Sequence, residues 1–211
     1  MTASSPVESQ FLNVAVKSSF LDRQRRLTVN NEYIEFDDND AASDKPTRFN
    51  ASDIEAFRYG IKWIRGYQFV IGRIYCIDIK SKEEQVIKIR LKSLYGVNRK
   101  KLSAKYVDIV NALYNYVFDD VAMNYLQKFA NGNEFEILGV TFKKLGVWIN
   151  DKKIFIEWQD LGTKSYSTYY ALFSKSNPSF HTTFEYLSEW NAGVLYSVSR
   201  QILMDKGFYS K

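Results

Sequence analysis

Between Val86 and Lys105 the chain carries seven cationic residues and no acidic one: Lys88, Arg90, Lys92, Arg99, Lys100, Lys101 and Lys105. If this stretch is extended, the period of two puts Lys88, Arg90 and Lys92 on one face. Arg99, Lys100 and Lys101 then follow in the connection to a helical pattern. Clustered cations attract anions more strongly than isolated ones. Lys88, Arg90, Lys92, Arg99, Lys100 and Lys101 are therefore candidates for holding phosphate or an anionic lipid headgroup. Cations at the start of a helix oppose its dipole, and an anion bound there would relieve them. The alternative is a solvated strand face kept soluble by its charge.

Other chemistry-bearing groups point to less. The basic run Arg23–Arg26 reads as a solvated segment or as a nucleic-acid or membrane contact. The acidic loop from Asp37 to Asp44 lacks the glycine and closing glutamate that an EF-hand calcium loop needs. His181 is the only histidine and Cys76 the only cysteine, more than 100 residues apart, which argues against Cys–His catalysis. Neither the spacing of phosphate-cradling glycine loops nor a GxSxG nucleophile elbow occurs. No catalytic residue, metal site or cofactor is expected. Paired carboxylates distant in sequence leave an unrecognised hydrolase as an alternative.

Aromatic residues are abundant, with 15 Phe, 15 Tyr and 4 Trp among 211 residues. Trp158, Tyr166, Tyr169 and Tyr170 exceed what a small β unit needs, and Tyr and Trp are favoured at interfaces. These four are the interface candidates, with core filling and packing between two units as the alternative. Stacking on single-stranded nucleic acid would need more interleaved cations than Lys164 and Lys175 supply.

Positioning these residues requires elements of two periods. Only 10 Gly and 3 Pro accompany the aromatics, which excludes low-complexity chains. Alternation predicts strands over Arg25–Phe36 with a turn at Asn30-Asn31, over Arg48–Ser52, Ile54–Trp63, Gln68–Lys80 and Val86–Leu91. Gly72 marks a bulge. The segment Phe11–Phe20 has no clear assignment, and residues 1–10 are expected to fray. A helix capped at Ser103 runs to Phe129 with Gly132 as its stop, and Asp119-Asp120 is a possible break. Short strands then resume from Phe135 to Trp158, with one strand over Ser165–Phe173 and another over Phe180–Tyr186. A last helix covers Asn191–Asp205.

This order repeats. FNASDIEAFRYGI aligns without gaps on IEWQDLGTKSYST, pairing Phe49 with Ile156, Asp53 with Asp160, Ile54 with Leu161 and Tyr59 with Tyr166. Upstream, LTVNNEYIEF aligns on VTFKKLGVWI. A unit of antiparallel strands closed by one helix, with aromatic strands ending in Asp53-Ile54 and in IFIEWQDL at Ile154–Leu161, resembles small bacterial pleckstrin-homology-like (PH-like) domains. The resemblance implies a mainly β, α+β chain with two tandem PH-like antiparallel barrels or sandwiches, each followed by a C-terminal helix. Its boundaries are an N-terminal extension over residues 1–25, a first domain with the long helix over 26–130, and a second, shorter domain over 134–206.

In that superfamily the usual function is binding. The resemblance implies a non-enzymatic binding or scaffold module of the bacterial cytoplasm, engaging another protein or a second copy of itself. An anionic lipid or phosphate ligand on the basic face is the alternative. A lone cysteine and the absence of a leader or long apolar run agree with a cytoplasmic address.

Overall fold

The computed structural model describes residues 11–17, 22–38, 45–151 and 153–209. It is mainly β, with four antiparallel sheets and a few helices. The first sheet is the meander β1 (Leu12–Val16), β2 (Arg25–Val29), β3 (Tyr33–Phe36) and β4 (Thr47–Asn50). The second is the meander β5 (Ile54–Arg65), β6 (Val70–Ser81) and β7 (Val86–Leu94). Helix α1 (Arg99–Leu113) continues through a π-helical stretch (Tyr114–Phe118) into α2 (Asp119–Ala130).

The same order then recurs. Strands β8 (Phe135–Ile137), β9 (Val140–Lys143), β10 (Gly146–Ile149) and β11 (Ile154–Glu157) make a four-stranded meander. Strands β12 (Leu161–Ser165), β13 (Tyr169–Ser174) and β14 (His181–Glu185) make a three-stranded one, and α3 (Ala192–Asp205) follows. Each half is thus four strands, three strands and a helix, and the shorter second half expected from the sequence has as many strands as the first. Its economy lies in strand length: β5 has 12 residues and its counterpart β12 has 5. Among the described residues no sheet closes into a barrel.

The aligned segments occupy matching positions. Leu27, Val29, Ile34 and Phe36 on β2 and β3 are buried, as are Val140, Phe142, Val147 and Ile149 on β9 and β10. Phe49 and Ile156 lie buried on the fourth strands, and Ile54 and Leu161 open the fifth. The carbonyl of Asp53 accepts from the Lys82 amide at 2.8 Å, and that of Asp160 accepts from the Lys175 amide at the same distance. Tyr59 and Tyr166 are not equivalent. β12 has already ended at Tyr166, whose amide closes a hairpin on the Tyr169 carbonyl. This hairpin also divides the single strand expected over Ser165–Phe173 into two.

Local chemistry accounts for most of the turns. The Asn30 side chain accepts from the amides of Glu32 (2.9 Å) and Tyr33 (2.8 Å), which fixes the β2–β3 turn. The pairing of β5 with β6 slips beside Gly72, where an added Cβ would lie 2.4 Å from the Ser93 carbonyl oxygen. Two expectations shift. Leu12–Val16 pairs with β2, so part of the supposed N-terminal extension is the edge of the first sheet. The first helix starts at Arg99 and not at Ser103. Asn98 precedes it in the left-handed region (φ 54), and Asp119-Asp120 opens α2 without breaking the path.

The halves share one hydrophobic core. β5 is an edge strand, and the segment entering α3 covers that edge. The Asn191 amide donates to the Phe57 carbonyl at 2.8 Å, and its side chain accepts from the Phe57 amide at 3.1 Å and donates to the Glu55 carbonyl at 3.3 Å. The Tyr59 amide donates to the Tyr186 carbonyl at 3.2 Å. Above this seam Phe57 stacks on Phe118, Tyr59 stacks on Tyr186, and the hydroxyls of Tyr59 and Tyr114 lie 3.0 Å apart. Gly193 admits the Tyr114 ring, since a Cβ there would sit 2.5 Å from its hydroxyl.

Asn191 has φ 64, a conformation that Asn tolerates and Gly adopts freely. Asn191→Ala loses both side-chain bonds and strains the backbone, so it is expected to destabilise the chain by about 2–4 kcal/mol. Asn191→Gly keeps the backbone and loses only the bonds, at a cost of about 1–2 kcal/mol. Urea denaturation of the two variants checks the order.

Candidate functional site

The sequence-derived basic residues divide into three environments. Ile87, Ile89 and Leu91 of β7 point into the core, which leaves Lys88, Arg90 and Lys92 on the opposite face as alternation requires. Arg90 is not available for a ligand. Its guanidinium lies 2.5 Å from buried Asp78 and donates to the Ile77 carbonyl at 3.2 Å. Asp78 also pairs with Arg58 at 2.9 Å, and Arg58 donates to the Ser188 carbonyl and lies over the Trp190 ring. Arg90 therefore serves the seam between the halves, which corrects its place among the anion-binding candidates. Lys88 is exposed beside this cluster, away from the pocket described next.

Lys92 and Lys101 come together. They border a cavity of about 650 Å³ where the end of β1, the end of β7 and the start of α1 meet. Its lining is mostly apolar, from Leu94, Val97, Leu102 and Tyr95, with Ala15 from β1. Lys17 and Gln24 close the side formed by the first sheet. Lys105 reaches the same wall and donates to the Ala15 carbonyl at 2.5 Å, which ties α1 to β1. Lys17, Lys92 and Lys101 make no ion pair among the described residues. The first turn of α1 holds no acidic residue, and the Asn98 side chain makes no capping bond. The cavity is thus a greasy pocket with a cationic rim, at a helix start that no acidic residue of its own first turn neutralises.

Arg99 and Lys100 face away from this pocket. They border a shallow depression with Ser103, Val107 and Asp108 on the far side of the same helical turn. The basic run therefore splits around the helix, because residues one apart on a helix do not share a face. Lys17, Leu94, Val97 and Leu102 were not singled out from sequence. Leu12, Val14 and Val16 are too few to establish the period of β1, but the apolar residues set among the cations would have indicated a lining.

The aromatic interface candidates also divide. Trp158 is buried against Phe129 and Phe142, and its indole N–H donates to the Lys143 carbonyl at 3.0 Å. Tyr170 is buried against Tyr196. Both belong to the interior, so they are withdrawn as partner contacts. Tyr166 is exposed and stacks on half-buried Tyr169 at the β12–β13 hairpin.

Other ionisable groups have structural partners. Arg23 binds Asp37 through both guanidinium nitrogens, at 2.5 and 2.6 Å, and this holds the Asp37 carboxyl below the usual range. Of the acidic loop, Asp40 and Asp44 lie outside the described residues. His181 is exposed, with Nδ1 3.0 Å from the Pro178 carbonyl oxygen. Among the described residues no three His, Cys, Asp or Glu side chains converge as a metal site would need. No helix among the described residues is long and apolar enough to cross a membrane.

No protein-family model matches the chain, and no curated protein does. The site is therefore read from its own chemistry.

Burial pushes the Cys76 thiol above its ordinary pKa, with Asp78 adding to the rise and Arg90 opposing it. A raised thiol pKa means less thiolate at a given pH, and the thiolate is the reactive form. Alkylation of Cys76 by iodoacetamide at mildly alkaline pH is expected to be at least about tenfold slower in the folded chain than in urea. Mass spectrometry of the labelled protein checks this.

Proposed function

We propose that this chain is a non-enzymatic binding module, built as two PH-like units in tandem, whose first half captures an amphiphilic anion. The twofold succession of four strands, three strands and a helix supports the tandem PH-like reading. One observation carries the ligand class: the pocket combines an apolar lining from Leu94, Val97 and Leu102 with Lys17, Lys92 and Lys101 at its rim, which make no ion pair among the described residues. A purely ionic ligand gains little from the lining, and a neutral apolar one leaves three cations unmatched. A molecule with a phosphate or carboxylate head and a hydrocarbon tail satisfies both. The volume lies within the roughly 300–1,000 Å³ usual for small-molecule sites.

The ligand reading is preferred to a protein partner because Trp158 and Tyr170 are interior residues. It also retains Lys92 and Lys101 of the anion-binding candidates and adds Lys17.

Calorimetric titration with dodecyl phosphate tests it, with inorganic phosphate and neutral-headed dodecyl maltoside as comparators. Dodecyl phosphate is expected to bind more tightly than either. Lys92→Glu combined with Lys101→Glu is expected to weaken it by about tenfold or more, because each cation near an anionic group is worth about 1 kcal/mol. Both positions are exposed, so circular dichroism should show an intact fold. Equal binding of dodecyl phosphate and dodecyl maltoside, or an unaffected double variant, would overturn the proposal.

A further inference from the structure

The β5–β6 hairpin ends in a turn closed by the Gly66 amide on the Phe69 carbonyl at 2.8 Å. Its tip leaves Tyr67 99% and Phe69 65% exposed. Beside it stands the β7–α1 loop, held to β6 by the Tyr95 amide donating to the Ile71 carbonyl at 2.8 Å. That loop leaves Tyr95 76% and Val97 63% exposed. A shallow depression bordered by Phe69, Val70, Arg73, Tyr95 and Arg99 joins the two loops. Large apolar side chains from separate loops thus form one outward-facing patch. Isolated exposed hydrophobics are ordinary, but a contiguous group at loop tips marks a contact site.

The surroundings of the patch are cationic. Arg65 and Arg73 flank the hairpin tip, and Arg99, Lys100 and Lys101 follow the neighbouring loop. No acidic residue occurs from Ala56 to Ile77 or from Gln85 to Val107. We propose that this end of the molecule is a docking surface for an anionic bilayer, with Tyr67, Phe69, Tyr95 and Val97 entering the headgroup region and the basic residues meeting lipid phosphates. Tyr and other amphipathic rings favour the membrane–water boundary, and basic side chains favour an anionic leaflet. The hot-spot anchors of a protein interface sit in well-packed pockets, whereas these side chains stand at loop tips ringed by cations. Here the side chains project from tips that no described residue covers. Tyr95 and Val97 also line the lysine-rimmed pocket, so a docked molecule sets that pocket against the headgroups. The further step, that the pocket's ligand is a lipid drawn from that bilayer, rests on the function proposed above. The docking surface does not.

Co-sedimentation of the full chain with vesicles tests this, using phosphatidylcholine alone and phosphatidylcholine mixed with phosphatidylglycerol. Binding is expected only to the mixed vesicles and should fall as salt rises. Tyr67→Ser with Phe69→Ser is expected to weaken vesicle binding by about tenfold or more while leaving dodecyl phosphate binding unchanged. Arg65→Glu with Arg99→Glu should weaken it similarly, at about fivefold per cation removed. In Phe69→Trp, the added emission should shift to the blue when mixed vesicles are present. Failure to bind mixed vesicles at low salt, with dodecyl phosphate still bound, would overturn the docking surface and leave the pocket intact. Vesicle binding without dodecyl phosphate binding would overturn the pocket and leave the docking surface. A dimer in sedimentation analysis that the Tyr67 and Phe69 substitutions abolish would also overturn docking, because a second copy would then cover the patch.

Discussion

The architecture depends on how one exposed strand edge is satisfied. β5 has a partner on one side only, and the backbone groups of Phe57 and Tyr59 on its other side would otherwise face solvent or seek another chain. Asn191 supplies an amide, a side-chain carbonyl and a side-chain NH2 to this edge, and Tyr186 supplies a carbonyl. Each bond is worth about 1 kcal/mol net, and their larger effect is geometric. They fix the start of α3 against the first half, and the rings of Phe57, Tyr59, Tyr114, Phe118 and Tyr186 then pack over the junction. The π-helical stretch lies at this contact: Tyr114 and Phe118 are two of those rings. Burial lifts the Tyr186 hydroxyl pKa to about 12 even though Ser165 shares a hydrogen bond with it. The rings of the seam belong to the core or pack against it.

The cationic pocket follows from what the seam uses and what it leaves. Asp78, buried in the second sheet, is matched by Arg58 and Arg90, and Arg58 in turn holds the Ser188–Trp190 loop. Of the basic residues on β7, the fold therefore employs the middle one. Lys105 is employed in tying α1 to β1. Lys17, Lys92 and Lys101 have no such duty. They converge because β1, β7 and the first turn of α1 meet at one corner. Like charges brought together beside an apolar surface, with no ion pair among the described residues, repel one another unless an anion is present.

Much of the frame was legible in the sequence because period and turn chemistry are local. The alternation of Ile87, Ile89 and Leu91, the Asn30 turn, the slip at Gly72 and three of the four paired positions of the two halves, all but Tyr59 with Tyr166, are found in the structure. The errors came where a local signal was weak or was overridden from afar. β1 was missed because Leu12, Val14 and Val16 are too few to establish a period. The helix start was misplaced because Ser103 is a good cap by type, whereas the chain turns at Asn98 in a left-handed conformation. The site was half legible. Clustered cations are visible in any sequence, but their assignment to different tasks is not. Arg90 and Lys92 differ only in that Asp78, twelve residues before Arg90, lies within reach of one of them. Trp158 and Tyr170 misled for a similar reason, since a ring that fills a core and a ring that awaits a partner have the same composition.

Both helices that end a half are preceded by an asparagine of left-handed conformation, Asn98 with φ 54 and Asn191 with φ 64. The two loops are counterparts, but their surroundings differ. The second rests on β5 of the first half, and among the described residues the first makes no hydrogen bond to a strand of the second. The contact between the halves is therefore head to tail and not reciprocal. A reciprocal contact would occupy both loops alike, whereas a head-to-tail contact of two units always leaves one unused. Here the unused one is Tyr95–Asn98, which borders the pocket and carries the exposed Tyr95 and Val97. The repeated succession of strands and helix thus carries the same loop twice, and the way the halves meet gives the two copies different work: one is mortar, and the other is left open among the described residues.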